Sequence, residues 1–146
     1  MSVNELYREV ILDHFENPRN KGKISPCDFH EHGSNPLCGD SIELYLNMKD
    51  DKVAEIKYEG NGCSISQASI SMMTEIVAGK DIAEIKNILN LFKGMMLEDK
   101  ENPFENDYDL EDLGALEGVK QYPVRIKCAL LGWNTLQEIL KKITEK

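Results

Sequence analysis

Between Asp40 and Tyr58 the chain alternates. Ile42, Leu44, Leu46 and Met48 are apolar at every second position, Lys49-Asp50-Asp51-Lys52 interrupts, and Ala54, Ile56 and Tyr58 resume the pattern. A period of two on both sides of a short polar break describes a β-hairpin with one buried face. Such a face has to be covered by a second layer, so the rest of the chain must supply one.

The flanking segments read as that layer. Residues 3–16 place Leu6, Val10, Ile11 and Phe15 on one helical face, and Pro18 in Asn17-Pro18-Arg19 stops the helix. Residues 19–39 are rich in Gly, Pro, Asn and Ser and read as irregular, with room for one short strand. After Tyr58, Gly60-Asn61-Gly62 breaks the second strand. Ser64 to Ala78 then fits a helix closed by Gly79, and its small residues Ser66, Ala68, Ser69 and Ser71 allow close packing on the sheet. Asp81-Ile82-Ala83-Glu84 opens another helix in the manner of a capping box, with Ile85, Ile88, Leu89 and Phe92 as its apolar stripe. Pro123 suits the first turn of a long helix to about Lys142, with Ile126, Leu130, Trp133, Leu136 and Leu140 facing inward. The expectation is one α+β two-layer domain over residues 1–146, a small antiparallel sheet packed against helices.

Charge narrows the function. The net charge is −9, and phosphate binding needs a basic surface, so no nucleic-acid partner is expected. Residues 98–118 carry nine acidic side chains against one base, Lys100, which leaves the remainder nearly neutral. A loop and a short helical turn around Asp109–Leu116 are expected there. No apolar run approaches the roughly 20 residues of a membrane span. The opening Ser2-Val3-Asn4-Glu5 has neither a basic leader nor an apolar core, so a cytoplasmic chain is expected. In that compartment cysteines serve as metal ligands or reactive thiols more readily than as disulfides.

Three cysteines stand where one element gives way to another: Cys38 in Asn35-Pro36-Leu37-Cys38-Gly39-Asp40, Cys63 in Gly60-Asn61-Gly62-Cys63-Ser64, and Cys128 in Pro123-Val124-Arg125-Ile126-Lys127-Cys128. Cys38 and Cys63 bracket the open ends of one hairpin, and antiparallel pairing brings those ends together. Gly39 and Gly62 leave backbone room beside them. Cys128 falls in the first turns of a helix, where amide dipoles favour a thiolate. With Asp40, three thiolates and one carboxylate complete a four-coordinate zinc site or bind an iron–sulfur cluster with one weak ligand. Arg125 and Lys127 stand nearby in sequence to offset the negative charge. The bland alternative for each cysteine is a buried small hydrophobe, and for Asp40 a solvated strand start. Cys27 is read as a non-ligand. His14, His30 and His32 are weak metal candidates that no spacing singles out.

The motifs Asn35 to Asp40, Gly60-Asn61-Gly62-Cys63-Ser64-Ile65-Ser66-Gln67-Ala68-Ser69 and Pro123 to Trp133 closely resemble the IscU/NifU-like iron–sulfur cluster assembly proteins, over nearly the whole chain. The resemblance implies that Cys38, Asp40, Cys63 and Cys128 meet at one exposed end, where a cysteine desulfurase delivers sulfur. Scaffold members typically carry a histidine just before the third cysteine, and Lys127 stands there instead. The acidic segment at about 98–118 looks like an insertion found in the SufU branch, whose members act as zinc-dependent sulfur acceptors. The resemblance therefore implies a Zn2+ site and Cys38 as the acceptor of persulfide sulfur. It also implies a PLP-dependent cysteine desulfurase as partner and downstream cluster-assembly proteins as recipients. Leu37 and its apolar surroundings are expected to dock the desulfurase, with the acidic segment tuning the encounter. Two alternatives stay open: a scaffold for a transient [2Fe–2S] cluster, and a zinc-stabilised docking module without sulfur transfer.

Overall fold

The computed structural model describes residues 3–105, 107 and 109–144, and the side chains of residues 3–7, including the expected inward Leu6, fall outside the described set. The chain runs through α1 (Val3–Glu16), β1 (Phe29–Asn35), β2 (Asp40–Lys49), β3 (Lys52–Asn61), α2 (Ser64–Val77) and α3 (Ile82–Leu97). It continues through a short α4 (Glu111–Gly114), a 3-10 segment (Ala115–Gln121) and α5 (Pro123–Thr144). The three strands form one antiparallel sheet in the order β1-β2-β3, and α1, α2 and α5 pack together beside it. The α+β reading holds.

The expected hairpin is β2–β3. Its two turn residues, Asp50 and Asp51, both adopt positive φ (53° and 63°), the backbone of a tight hairpin whose twist matches its strands. Ile42, Leu44 and Leu46 are buried, as are Ile56 and Tyr58. Ala54 departs from the expectation. Asn47 pairs with Glu55 and Met48 with Val53, so Ala54 is an extra residue in a bulge. The extra residue turns the face over locally, leaving Ala54 exposed and burying Val53.

Gly60 does not break the second strand. β3 continues through Gly60 and Asn61, opposite Ile42 and Ser41. Gly60 takes φ +149°, and a Cβ there would run into the Ser41 carbonyl and stand 2.8 Å from Ile42 Cα. Only glycine lets the two backbones approach this closely. The irregular segment before the hairpin holds a full strand, β1, which pairs along β2 from Phe29↔Leu46 to Asn35↔Asp40. The open edge of β3 is covered too: Gly22 N–H donates to Tyr58 O at 2.7 Å and Tyr58 N–H to Asn20 O at 3.1 Å.

The small residues of α2 serve its helical neighbours as much as the sheet, for α2 packs on α1 and α5 as well as β3. Ser69 Oγ donates to the Ala129 carbonyl at 2.6 Å, and a Cβ on Gly132 would stand 3.0 Å from Ile70. Asp81 caps α3 by accepting from Glu84 N–H at 2.8 Å. Along α5, Leu130, Trp133, Leu136 and Leu140 are buried, and Ile126 packs partly against the core. The acidic segment is not a surface appendage: Phe104, Leu113 and Leu116 all enter the same core.

The phase of α1 also differs from expectation. Val10 and Ile11 pack against the core, but Phe15 is 42% exposed and His14 only 1%. The inward stripe is 10, 11 and 14. A histidine is tolerated there because both ring nitrogens find partners, as described below.

Candidate metal centre

Pairing of β1 with β2 ends at Asn35↔Asp40, so Pro36 to Gly39 form the hairpin loop that carries Cys38. The Cys38 N–H donates back to Asn35 O at 3.2 Å. Gly39 adopts φ +69°, and a Cβ there would meet nothing within 4 Å. Cys38 is thus held on an open, tight turn rather than on the irregular approach expected, and Leu37 beside it is 69% exposed. Asp40, the first residue of β2, is buried.

On the neighbouring strand the chain leaves β3 and enters α2 through Cys63, the N-cap residue, with extended backbone. Asp40 reaches across to it. Asp40 Oδ1 accepts from Cys63 N–H at 2.8 Å, and Cys63 Sγ lies 3.9 Å from Asp40 Oδ2. One carboxylate oxygen thereby satisfies an orphan amide at the helix start and the other faces the thiols. Gly62 makes this possible. A Cβ on Gly62 would overlap Asp40 Oδ1 and stand 2.6 Å from Ser66 Oγ.

Cys128 comes from the second turn of α5 and is fully buried. Its Sγ lies 2.9 Å from Cys38 Sγ and accepts from Asn35 Nδ2 at 3.6 Å. Donor atoms of Cys38, Asp40 and Cys128 all lie within 4.8 Å of one another, and Cys63 joins the group through Asp40. The structure therefore gathers all four residues singled out in the sequence.

The electrostatics differ from expectation at one point. Burial, followed by the neighbouring Cys38, Cys63 and Asp40, pushes the Cys128 thiol up. The helix start does not offset desolvation beside other acidic groups. Arg125 is held more firmly protonated, first by its hydrogen bond to Cys128 and then by the Cys63 charge. The structure gives Lys127, exposed on the same helix, no hydrogen bond or ion pair among the described residues. Cys27 lies on the loop before β1, outside the gathered donors. His30 and His32 stand on the exposed face of β1, each 3.0 Å from Glu43.

These donors fit a thiophilic metal. Three sulfurs and one carboxylate oxygen match a closed tetrahedral zinc set, and the room left by Gly62 keeps the carboxylate turned inward. A cation among them would relieve the clustering of groups that disfavours ionisation of Cys128. Beside the centre runs a groove of about 380 Å³ lined by Arg8, Leu12, Ser64, Ile65, Tyr122 and Arg125.

The sequence reading held His14 only as a weak metal candidate and missed the Glu75 and Asp112 that join it. His14 Nδ1 lies 2.9 Å from Ser71 Oγ and Nε2 lies 3.1 Å from Asp112 Oδ2, and donor atoms of His14, Glu75 and Asp112 lie within 4.8 Å of one another. The signal for it was the apolar stripe itself, since position 14 follows Val10 by four residues.

The fold and the gathered donors define a small α+β domain presenting three thiols and a carboxylate at one end. The family model for the NifU-like N terminal domain matches residues 6–146, and the chain belongs to that family. It is 44% identical over 141 residues to the zinc-dependent sulfurtransferase SufU of Bacillus subtilis, covering 97% of this chain and 93% of that protein. It is 39% identical over 140 residues to the iron–sulfur cluster assembly scaffold protein IscU of Streptococcus pyogenes, covering 96% and 86%. The fold is similar to the crystal structure of the N-terminal part of a nitrogen-fixing NifU-like protein from Brucella abortus. The TM-score is 0.88 at 26% identity, covering 99% of this chain and 98% of that one.

Proposed function

We propose that this chain is a zinc-dependent sulfur acceptor in iron–sulfur cluster assembly, receiving sulfur on Cys38 from a cysteine desulfurase that uses pyridoxal phosphate. One observation carries the reading: the Cys38 and Cys128 thiols gather around the Asp40 carboxylate, which also meets the Cys63 thiol, with Cys38 on a loop and Cys128 fully buried. Similarity to the Bacillus sulfurtransferase supports it.

Cys38, Asp40, Cys63 and Cys128 would hold the zinc, which when bound would keep the thiols ionised and protected between transfers. Asp40 and Cys63 brace one another through the Asp40 Oδ1 bond, and Cys128 anchors the group from inside. Cys38 would be the ligand that reaches the partner, because it alone of the four sits in the loop between two strands, beside the exposed Leu37. Its thiolate attacks the outer sulfur of the desulfurase persulfide. The donor's S–S bond breaks, the donor cysteine leaves as a thiolate, and Cys38 carries the new persulfide, with no net redox change. Arg125, beside Cys128 and Cys63, counters the negative charge during exchange. Leu37 and the neighbouring groove form the docking surface for the desulfurase. No helix among the described residues is long and apolar enough to cross a membrane.

A second reading is supported by similarity to the Streptococcus scaffold: the same cysteines hold a transient [2Fe–2S] cluster as cargo. The test is to mix the purified chain with desulfurase and cysteine, trap persulfide by alkylation, and map it by peptide mass. The label is expected on Cys38 and lost in Cys38→Ser, which keeps its fold. A label on Cys63 or Cys128 with Cys38→Ser still active overturns the assignment. Visible absorbance that needs added iron and sulfide, without persulfide on any cysteine, establishes the scaffold reading instead. Desulfurase binding with neither product leaves a docking module.

A further inference from the structure

Away from the thiols, one buried imidazole faces two carboxylates. His14 of α1 is 1% exposed, and its Nε2 lies 3.1 Å from Asp112 Oδ2 of α4. Glu75 of α2 brings a carboxylate oxygen within 4.8 Å of both. Three elements separated in sequence thus converge on one point. The other ring nitrogen is already engaged, with Nδ1 2.9 Å from Ser71 Oγ. That hydroxyl also accepts from the Arg19 backbone N–H at 2.9 Å. Without an ion, Nε2–H can donate to Asp112; an ion would take the place of that proton, with Nδ1–H then donating to Ser71 and the Nε2 lone pair left to coordinate. Metal-ligating histidines are held this way, one nitrogen oriented by a neighbour and the other left to coordinate.

The charge balance favours a cation. Asp13, Glu75 and Asp112 surround the point, and among the described residues Arg19 is the base that pairs with them. Arg19 bonds Asp13 at 2.7 Å and reaches Glu75 at 3.5 Å, so it keeps a partner when Glu75 turns away. The local sum is −2 with a neutral imidazole.

We infer that His14, Glu75 and Asp112 form a second divalent-cation site for a borderline-to-hard first-row ion of the Fe2+ or Mn2+ class. One imidazole and two carboxylates suit such ions, and water completes the shell on the open side, where Glu75 is exposed and Asp112 half-buried. The thiol centre is its chemical opposite, three soft donors with one carboxylate. Ser71 and Glu75 lie 8 and 12 residues beyond Cys63 along α2, which puts the two sites roughly 12–18 Å apart on that helix. They are therefore separate in space and in metal preference. An ion here ties α4 of the acidic segment to α1 and α2, so its loading bears on how firmly that segment is held.

The site is independent of the sulfur-transfer reading and is tested with the thiol centre filled. Zinc-saturated protein is titrated with Mn2+ alone and followed by two-dimensional NMR. Broadening centred on the His14 ring and the amides of Glu75 and Asp112 is expected below about 1 mM Mn2+. Glu75→Gln, at an exposed position, and Asp112→Asn, which keeps an oxygen to accept from His14, are each expected to weaken binding at least ~10-fold. Persulfide formation on Cys38 is expected to be unchanged in both. No broadening at that concentration overturns the inference. So does broadening centred on the cysteines, or broadening equal in the parent and both variants, and the contact is then a structural ion pair alone.

Discussion

Gly62 offers the sharpest test of the thiol centre, because its replacement by alanine adds one methyl group at a defined place. Its backbone needs no positive φ, so alanine brings no conformational strain. The new Cβ would overlap Asp40 Oδ1 and stand 2.6 Å from Ser66 Oγ. Asp40 is 2% exposed and its Oδ1 accepts from Cys63 N–H at 2.8 Å. Relief of the overlap requires the carboxylate to turn, which breaks that bond and points Oδ2 away from the thiols. A hydrogen bond to a charged group contributes about 1.5–3 kcal/mol. At 1.36 kcal/mol per factor of ten, zinc affinity should fall roughly 10- to 150-fold. The assay is competition for zinc against a chromophoric chelator, with circular dichroism to verify the fold. Gly118→Ala is the control, since a Cβ at Gly118 meets nothing within 4 Å. A folded Gly62→Ala variant that binds zinc within about twofold of the parent would refute the argument, because Asp40 would then not need its bond to Cys63.

Neutralising Glu105, Asp107, Asp109 and Glu111, all exposed, should slow association with the desulfurase or change its salt dependence, measured by stopped-flow at several ionic strengths. Asp112 is left intact because it bonds His14; an equal loss of binding at every salt concentration would instead point to a structural role for the segment. The Lys120 ammonium, 2.8 Å away, holds the Asp99 carboxyl below its ordinary range. A depressed carboxylate contributes stability that is present above its unfolded pKa of about 3.9 and lost as pH falls through the lower folded value. Asp99→Asn should therefore flatten the acid limb of a pH series of thermal melts; Asp99 has φ +52°, which asparagine tolerates. An acid limb identical to the parent's would show that the pair does not contribute.

The sequence by itself determined the parts of this protein whose physics is local. Alternation placed the β2–β3 hairpin, and antiparallel return brought Asp40 up to Cys63. Caps and breakers placed α2, α3 and α5, with Asp81 and Pro123 at their starts. The third thiol was legible only through its motif, since no local rule relates Cys128 to a loop 90 residues earlier. Tertiary structure alone decided what depends on distant partners. β1 lacks a strong pattern of its own and exists because β2 offers it a ladder. Ala54 and Val53 exchange faces because a bulge, not the alternation, sets their register. His14 goes in and Phe15 stays out because Ser71 and Asp112, 57 and 98 residues away, satisfy both imidazole nitrogens. The acidic segment carries enough charge to read as solvated, yet Phe104, Leu113 and Leu116 pin it to the core. Periodicity reports which residues can be buried, but desolvation and hydrogen bonding are settled by the groups met across the fold, and those meetings are set by packing.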